Sequence, residues 1–203
     1  MMIPADSPQW LPARVGLATA SLFPKIMART KTGWAASRDD VKKQLVAERL
    51  TGIKTEVFVT EAMNHGIEQE APACDLYSIR TGTILERSGL YLHPTIEFLG
   101  GSPDREIGTD GLLECKCPTS KTHLNWLIGK TLPQDYVPQM LIQLACTGRK
   151  WCEFISYDPR MPEKQQLFIA RFEPTAAEIA KAEEEAALFL KEVDDLFRLV
   201  TEN

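Results

Sequence analysis

The sequence predicts an α/β fold, a mixed β-sheet sandwiched between helices. Three observations predict it. Apolar patterns of strand period and of helix period alternate along the chain. The pair Asp110-Gly111, the strongest short signal for a tight hairpin turn, stands at the start of a strand-like run ending at Pro118. The 203 residues are 44% hydrophobic and 25% charged, which suits one globular domain spanning 1–203.

Met27 to Ala36 reads as a mobile loop. Ser37 is expected to cap a helix whose apolar positions Val41, Leu45, Val46 and Leu50 keep helical spacing up to Gly52. Thr60 opens a second helix carrying Met63, Ile67 and Glu70. Pro72 has no N–H for the carbonyl of Glu68, so it should kink or end that helix. Strand patterns follow at Gly89–Leu92, Thr95–Leu99, Leu112–Cys117, Trp151–Tyr157 and Gln165–Phe172, with helical stretches at Ser120–Ile128 and Asp135–Thr147. Thr175-Ala176-Ala177-Glu178 is a capping box that starts a last helix. Along it Ile179, Ala182, Ala186, Phe189, Val193, Leu196 and Val200 form an apolar stripe for core packing.

No apolar run approaches membrane-spanning length, and the N-terminus lacks the charged-then-apolar layout of a secretory signal. Five scattered cysteines argue for reduced thiols in a cytoplasmic compartment. Cys115 and Cys117 have no partner pair to complete a metal site and read as small core residues. Net charge is −5, but residues 1–54 carry nine Lys/Arg against four Asp/Glu, while 173–203 carry three against nine. Arg29, Lys31, Arg38, Lys42, Lys43 and Lys54 therefore suggest a basic surface for a polyanion, with the acidic end elsewhere. His65, His93 and His123 have no catalytic company and read as structural or surface residues.

The chemistry concentrates in Ser102-Pro103-Asp104 and Leu113-Glu114-Cys115-Lys116. Side chains alternate along a strand, so Glu114 and Lys116 share one face while Leu113, Cys115 and Cys117 share the other. A hairpin between the halves lets Asp104 join the polar face. Two carboxylates offer hard oxygen ligands to Mg²⁺, and an ammonium can position a water or counter developing charge. This is the layout of a metal-dependent phosphodiesterase. The plain alternative is a solvated strand face on which an acid-x-basic triplet does nothing.

Six segments in order resemble the lambda exonuclease family, the phage alkaline exonucleases and YqaJ-like viral recombinases. They are Trp10 … Arg14-Val15-Gly16-Leu17-Ala18-Thr19-Ala20-Ser21, Gly66 … Glu70 … Ala73, Ser102-Pro103-Asp104, Leu113-Glu114-Cys115-Lys116-Cys117-Pro118, Tyr136 … Gln139, and Tyr157-Asp158-Pro159-Arg160-Met161. The resemblance implies a restriction-endonuclease-like core, with a central mixed β-sheet flanked by helices. It implies a Mg²⁺-dependent 5′→3′ exonuclease on double-stranded DNA that prefers 5′-phosphorylated ends and leaves 3′ overhangs for single-strand annealing recombination. Two Mg²⁺ per active site are implied, with Mn²⁺ able to substitute.

By the same resemblance, Asp104, Glu114 and the Cys115 carbonyl bind metal, Lys116 holds the attacking water, and Glu70 (or its neighbour Glu68) adds a further carboxylate. Arg14, Ser21, Ser102 and Gln139 would cradle the 5′-phosphate, and Met63 would wedge apart the terminal base pairs. The 27–36 loop would clamp DNA. The implied partners are double-stranded DNA ends, two further copies in a toroidal homotrimer and a single-strand annealing protein, with no membrane, in a bacterial or phage-infected cell. Cutting of closed circles would instead mark an endonuclease on the same core, and absence of cleavage a catalytically silent DNA-end binding module. A RecB-like nuclease with an iron–sulfur cluster would need four dispersed cysteines in a pattern that is missing.

Overall fold

The computed structural model describes residues 2–56, 58 and 60–202. In chain order the elements are β1 (Met2–Pro4), β2 (Ala18–Thr19), the short helix α1 (Phe23–Ile26), β3 (Arg29–Thr30), β4 (Gly33–Trp34), α2 (Ala36–Thr51), α3 (Glu61–Thr81), β5 (Glu86–Arg87) and β6 (Gly89–Leu92). There follow β7 (Leu99–Gly101), β8 (Arg105–Ile107), β9 (Gly111–Lys116), α4 (Ser120–Gly129), α5 (Val137–Thr147), β10 (Trp151–Tyr157), β11 (Leu167–Phe172) and α6 (Ala176–Thr201). The α/β class expected from the sequence is the one observed.

The larger sheet runs β11-β10-β9-β8-β5, with β9 and β10 parallel and the remaining pairs antiparallel. The parallel step is bridged by α4 and α5, as a crossover requires. Strand alternation sorts the side chains of β9 onto two helical layers. Leu113 and Cys115 pack with Ala73, Cys74 and Tyr77 of α3, whereas Leu112 packs with Met140 and Leu144 of α5. A smaller sheet, β1-β6-β7-β2, sets β2 parallel to β7. Helices α1, α2, α5 and α6 close a second core around Phe23, Leu45 and Phe189.

Several expectations need correction. The hairpin between β8 and β9 exists, but Ile107 pairs with Gly111, so its loop is Gly108-Thr109-Asp110 and Gly108 takes the positive φ of 52°. Gly111 is glycine for another reason: a Cβ there would stand 2.2 Å from the Trp151 ring. Helix α3 does not end at Pro72. Pro72 and Glu68 both lie on its exposed side, where water can satisfy the freed carbonyl, and the helix continues to Thr81. Ser37 does not cap α2. The N-cap is Ala35, and Ser37 Oγ donates to the Lys25 carbonyl at 2.9 Å. Residues 95–98 are not strand, and pairing begins at Leu99. Leu50 and Val200, each placed on an apolar stripe, are exposed at helix ends.

The basic N-terminal surface is the largest correction. Helix α6 packs on α2 and brings the acidic end to it: Arg38 pairs with Glu192 at 2.7 Å, Arg49 with Asp194 at 2.6 Å and Arg29 with Glu185 at 3.5 Å. Lys43 pairs with Asp39, Lys42 with Asp39 and Glu192, and Lys54 with the buried Glu48. The 27–36 segment is a β3–β4 hairpin, with Trp34 stacked between the guanidinium groups of Arg29 and Arg38. Among the described residues no helix is long and apolar enough to cross a membrane.

Candidate active site

The site is built at the end of β9. Pro103 cannot extend a ladder, so β8 starts only at Arg105. Asp104 therefore sits just outside the strand, and its main-chain N–H donates to the Leu113 carbonyl at 3.2 Å. Its Oδ2 accepts from the Cys115 N–H at 2.7 Å, taking the place of the next ladder acceptor.

Glu114 points to the α5 side and is fully buried. Three donors converge on its carboxylate. Gln139 Nε2 donates to Oε1 at 2.6 Å, Lys116 Nζ donates to the same oxygen, and Gln143 Nε2 donates to Oε2 at 2.7 Å. A solvated, idle strand face is thereby ruled out. Buried and faced by Glu114, the Asp104 carboxyl is pushed well above its ordinary value, with Lys116 and the Cys115 N–H opposing. Burial alone would lower the Lys116 ammonium, but Glu114 and Asp104 outweigh it and hold it above its ordinary value. The metal-free site thus favours the charged, donating form of Lys116. Its Nζ lies 5.3 Å from the Tyr136 ring centroid.

Two carboxylates facing each other at partial or full burial fit a hard divalent cation, which relieves their repulsion. Asp104 Oδ1 takes no hydrogen bond from any described residue and is available as a ligand atom. No group of three or more His, Cys, Asp or Glu side chains placed to hold a metal occurs among the described residues. Further ligands would have to be main-chain carbonyls, water or substrate oxygens.

Glu70 reaches the site from α3, on the opposite side of the sheet. Its Oε1 accepts from Arg105 Nη1 at 2.7 Å, and the same Arg105 nitrogen donates to the Asp104 carbonyl. Glu68 is exposed, so Glu70 is the α3 carboxylate that faces Asp104. Glu70 and Asp104 line two adjoining cavities. One, of about 510 Å³, is bordered by Met63, Gly66, Lys116, Cys117 and Tyr136. The other, of about 340 Å³, is bordered by Trp10, Arg87, Ser102 and Arg105. Met63 stands at the mouth of the first rather than in the core.

The four candidate phosphate contacts divide. Arg14 Nη1 approaches Ser102 Oγ at 3.5 Å, and its guanidinium lies 5.2 Å from the Trp10 ring. Burial pulls that guanidinium below its ordinary value, against the charge of Glu48. The parallel register Thr19↔Gly100 brings Ser21 to the same sheet end as Ser102, where its Oγ bonds Thr19 Oγ1 at 3.2 Å. Gln139 does not join them. It is buried, and its amide is committed to Glu114 because α5 crosses directly over that strand.

Residue patterns did not single out Gln143 or Arg105, and Tyr136 entered only as the start of the Tyr136 … Gln139 segment. A usable signal existed for Gln143: two glutamines four apart on one face of an otherwise apolar helix, Val137–Thr147. Arg105 follows Asp104 immediately and carried no comparable signal. Of the histidines, His123 is fully buried and bonds Ser156 Oγ and the Gln165 carbonyl, and His93 bonds Glu183, so both are structural.

Comparison with known proteins gives a consistent picture. The family profile of the YqaJ-like viral recombinase domain matches residues 9–150. The alkaline exonuclease LHK-Exo from Laribacter hongkongensis is 40% identical over 97% of both chains, with a TM-score of 0.88. Its complex with dAMP matches over the same shares at a TM-score of 0.89. A phage-related exonuclease from Haemophilus somnus 129PT, 13% identical over 91% of this chain and 96% of its own, shares the fold at a TM-score of 0.70. No curated protein sequence matches the chain significantly.

Proposed function

Because this chain belongs to the YqaJ-like viral recombinase family, we propose that it is a Mg²⁺-dependent 5′→3′ exonuclease that degrades one strand of double-stranded DNA from 5′-phosphorylated ends. The coarser statement, a phage-type recombination exonuclease, follows from the family and from its 40% identity to an alkaline exonuclease. The observation that supports metal-dependent hydrolysis is the juxtaposition of Asp104, Glu114 and Lys116 at one strand end, beside an open cleft; the polarity and end preference are proposed from the family resemblance.

In this reading Asp104 and Glu114, with the Cys115 carbonyl, would hold the cation, and Glu70 would assist from α3; by the family resemblance the site would take two Mg²⁺, with Mn²⁺ able to substitute. When bound, the metal would supply polarisation of the phosphate and a water of lowered pKa. Lys116 would orient the attacking water and counter charge developing on the phosphate oxygens. Arg14, Ser21 and Ser102 bind the terminal phosphate through charge-assisted and hydroxyl bonds. Gln139 contributes indirectly, by holding Glu114. Met63, at the cleft mouth, parts the end base pairs.

The product is a 3′ overhang passed to a single-strand annealing protein. The single nuclease domain works in a toroidal homotrimer in the cytoplasm. The ring draws its support from the family alone, since the basic N-terminal residues are largely paired within the chain.

The test uses linear duplexes labelled at either end, with and without a 5′-phosphate, together with a closed circle, all in Mg²⁺. Stepwise loss of the 5′ label, a surviving complementary strand and an intact circle are expected. Nicked or linearised circles would contradict the exonuclease reading and indicate an endonuclease. No cleavage with Mg²⁺ or Mn²⁺ would contradict the enzyme reading.

A further inference from the structure

Gln143 is the least explained polar group in the molecule. It is fully buried on α5, between Ile142 and Leu144 of the core, where an apolar residue would pack without a polar cost. Its amide nitrogen donates to two acceptors that belong to different functional segments. One is Glu114 Oε2, at 2.7 Å. The other is the main-chain carbonyl of Ser102, at 3.2 Å. Both partners can only accept, so the orientation of the amide is fixed by chemistry: a flipped amide would set oxygen against oxygen. The consequence is visible at the other end, where Gln143 Oε1 is buried and has no hydrogen-bond partner among the described residues. An unpaired buried carbonyl costs stability, and that cost is retained for the sake of the two donations.

The backbone is arranged to permit the second of them. A Cβ on Gly101 would stand 3.1 Å from Gln143 Cα, tighter than ordinary packing allows. Glycine at 101 therefore lets β7 come close enough to α5 for one amide to span both acceptors. Ser102 follows directly, carrying the hydroxyl next to Arg14, and Asp104 is two residues further on.

We propose that Gln143 is a positioning residue that holds the Glu114 carboxylate through Oε2, in the orientation in which it faces Asp104, and at the same time fixes the Ser102 backbone relative to that carboxylate. One side chain thereby couples the metal half of the site to the terminal-phosphate half. This rests on the reading given under Proposed function.

The coupling has a signature that a merely structural residue lacks. Gln143→Met, of similar volume, removes both donations. It is expected to weaken Mn²⁺ binding to the DNA-free protein by about tenfold or more, as loss of a bond that orients a metal ligand generally does. Mn²⁺ alone is the probe, with free ion counted by electron paramagnetic resonance. The same variant is expected to lower the preference for 5′-phosphate over 5′-hydroxyl ends, without contact to that phosphate. Its melting temperature should fall, because Glu114 Oε2 and the Ser102 carbonyl lose their donor.

Gly101→Ala, which pushes β7 from α5 and leaves Gln143 in place, should move both readouts in the same direction by a smaller factor, and it supplies the measurement if Gln143→Met does not fold. Mn²⁺ affinity and end preference both within twofold of wild type in the folded variant would overturn the proposal, as would a change in only one of them. A wild-type protein that binds no Mn²⁺ would overturn the nuclease reading itself, so the two failures are distinguishable.

Discussion

Glu114 is fully buried in a central strand and receives three donors, whereas Arg14 is half-buried at the end of a one-turn helix and has one 3.5 Å approach to Ser102. In the proposed reading the two belong to two halves of one site, a cation half and a terminal-phosphate half. The carboxylate half is assembled by sheet alternation, a hairpin and a helix crossing, so its geometry is set by the core. The phosphate half is assembled by a loop and strand ends, and its hydroxyls bond to one another or to main chain. A preformed cation site beside a half that an anion completes is the division expected when an end group must be recognised and then advanced.

Variants can break or sharpen that contrast. The largest effect is expected in the preformed half. Lys116→Ala should lower single-turnover cleavage by ~10³-fold or more, because a charged donor aimed at the reacting phosphate is lost. Duplex binding, measured by anisotropy in Ca²⁺, should be retained. Cleavage within tenfold of wild type would remove Lys116 from the chemistry. Asp104→Asn should abolish turnover to a similar extent yet stabilise the metal-free protein by about 1 kcal/mol, seen as a higher melting temperature, since it deletes one of two repelling carboxylates. A lower melting temperature would show that the Asp104 charge stabilises the fold without metal.

The phosphate half should respond more mildly and more selectively. Arg14→Ala is expected to reduce the advantage of 5′-phosphate over 5′-hydroxyl ends by ~10–100-fold, the value of one or two charge-assisted bonds, with cleavage of hydroxyl ends little changed. An unaltered ratio would remove Arg14 from that pocket.

The smallest effect lies outside both halves. Burial favours the neutral form of Asp158, but its bonds from the Arg160 side chain and main-chain N–H hold the carboxyl down to about 2. A carboxyl lowered on folding stabilises the protein above the ordinary carboxylate range, and that contribution fades as pH falls toward 2. Asp158→Asn should therefore cost about 2 kcal/mol at pH 7, with a gap to wild type that narrows below pH 4 in thermal melts. A gap independent of pH would mean that packing rather than charge is lost.

Legibility followed the range of the interactions. The β8–β9 hairpin, the α5 and α6 helices and the Thr175 capping box were readable because each is decided within a few residues. The acid-acid-lysine set was readable for the same reason, since strand period alone puts Glu114 and Lys116 together. What could not be read depended on distant partners. Charge counting made the first 54 residues look basic and open, but Arg38 and Glu192 are 154 positions apart and meet only when α6 packs on α2. Gln139 looked available to a phosphate because nothing in its neighbourhood shows that Glu114, 25 residues earlier, lies beneath it. Pro72 looked disruptive because sequence does not tell which side of a helix faces water.

The most direct test of a preformed cation site is a crystal structure of the protein with Mn²⁺, its position read from anomalous scattering. A preformed site predicts a peak about 2.1–2.2 Å from one oxygen of Asp104 and one oxygen of Glu114, with Glu114 still bonded to Gln143. A peak away from these two carboxylates, or Glu114 turned off α5 to bind through both oxygens, would contradict it.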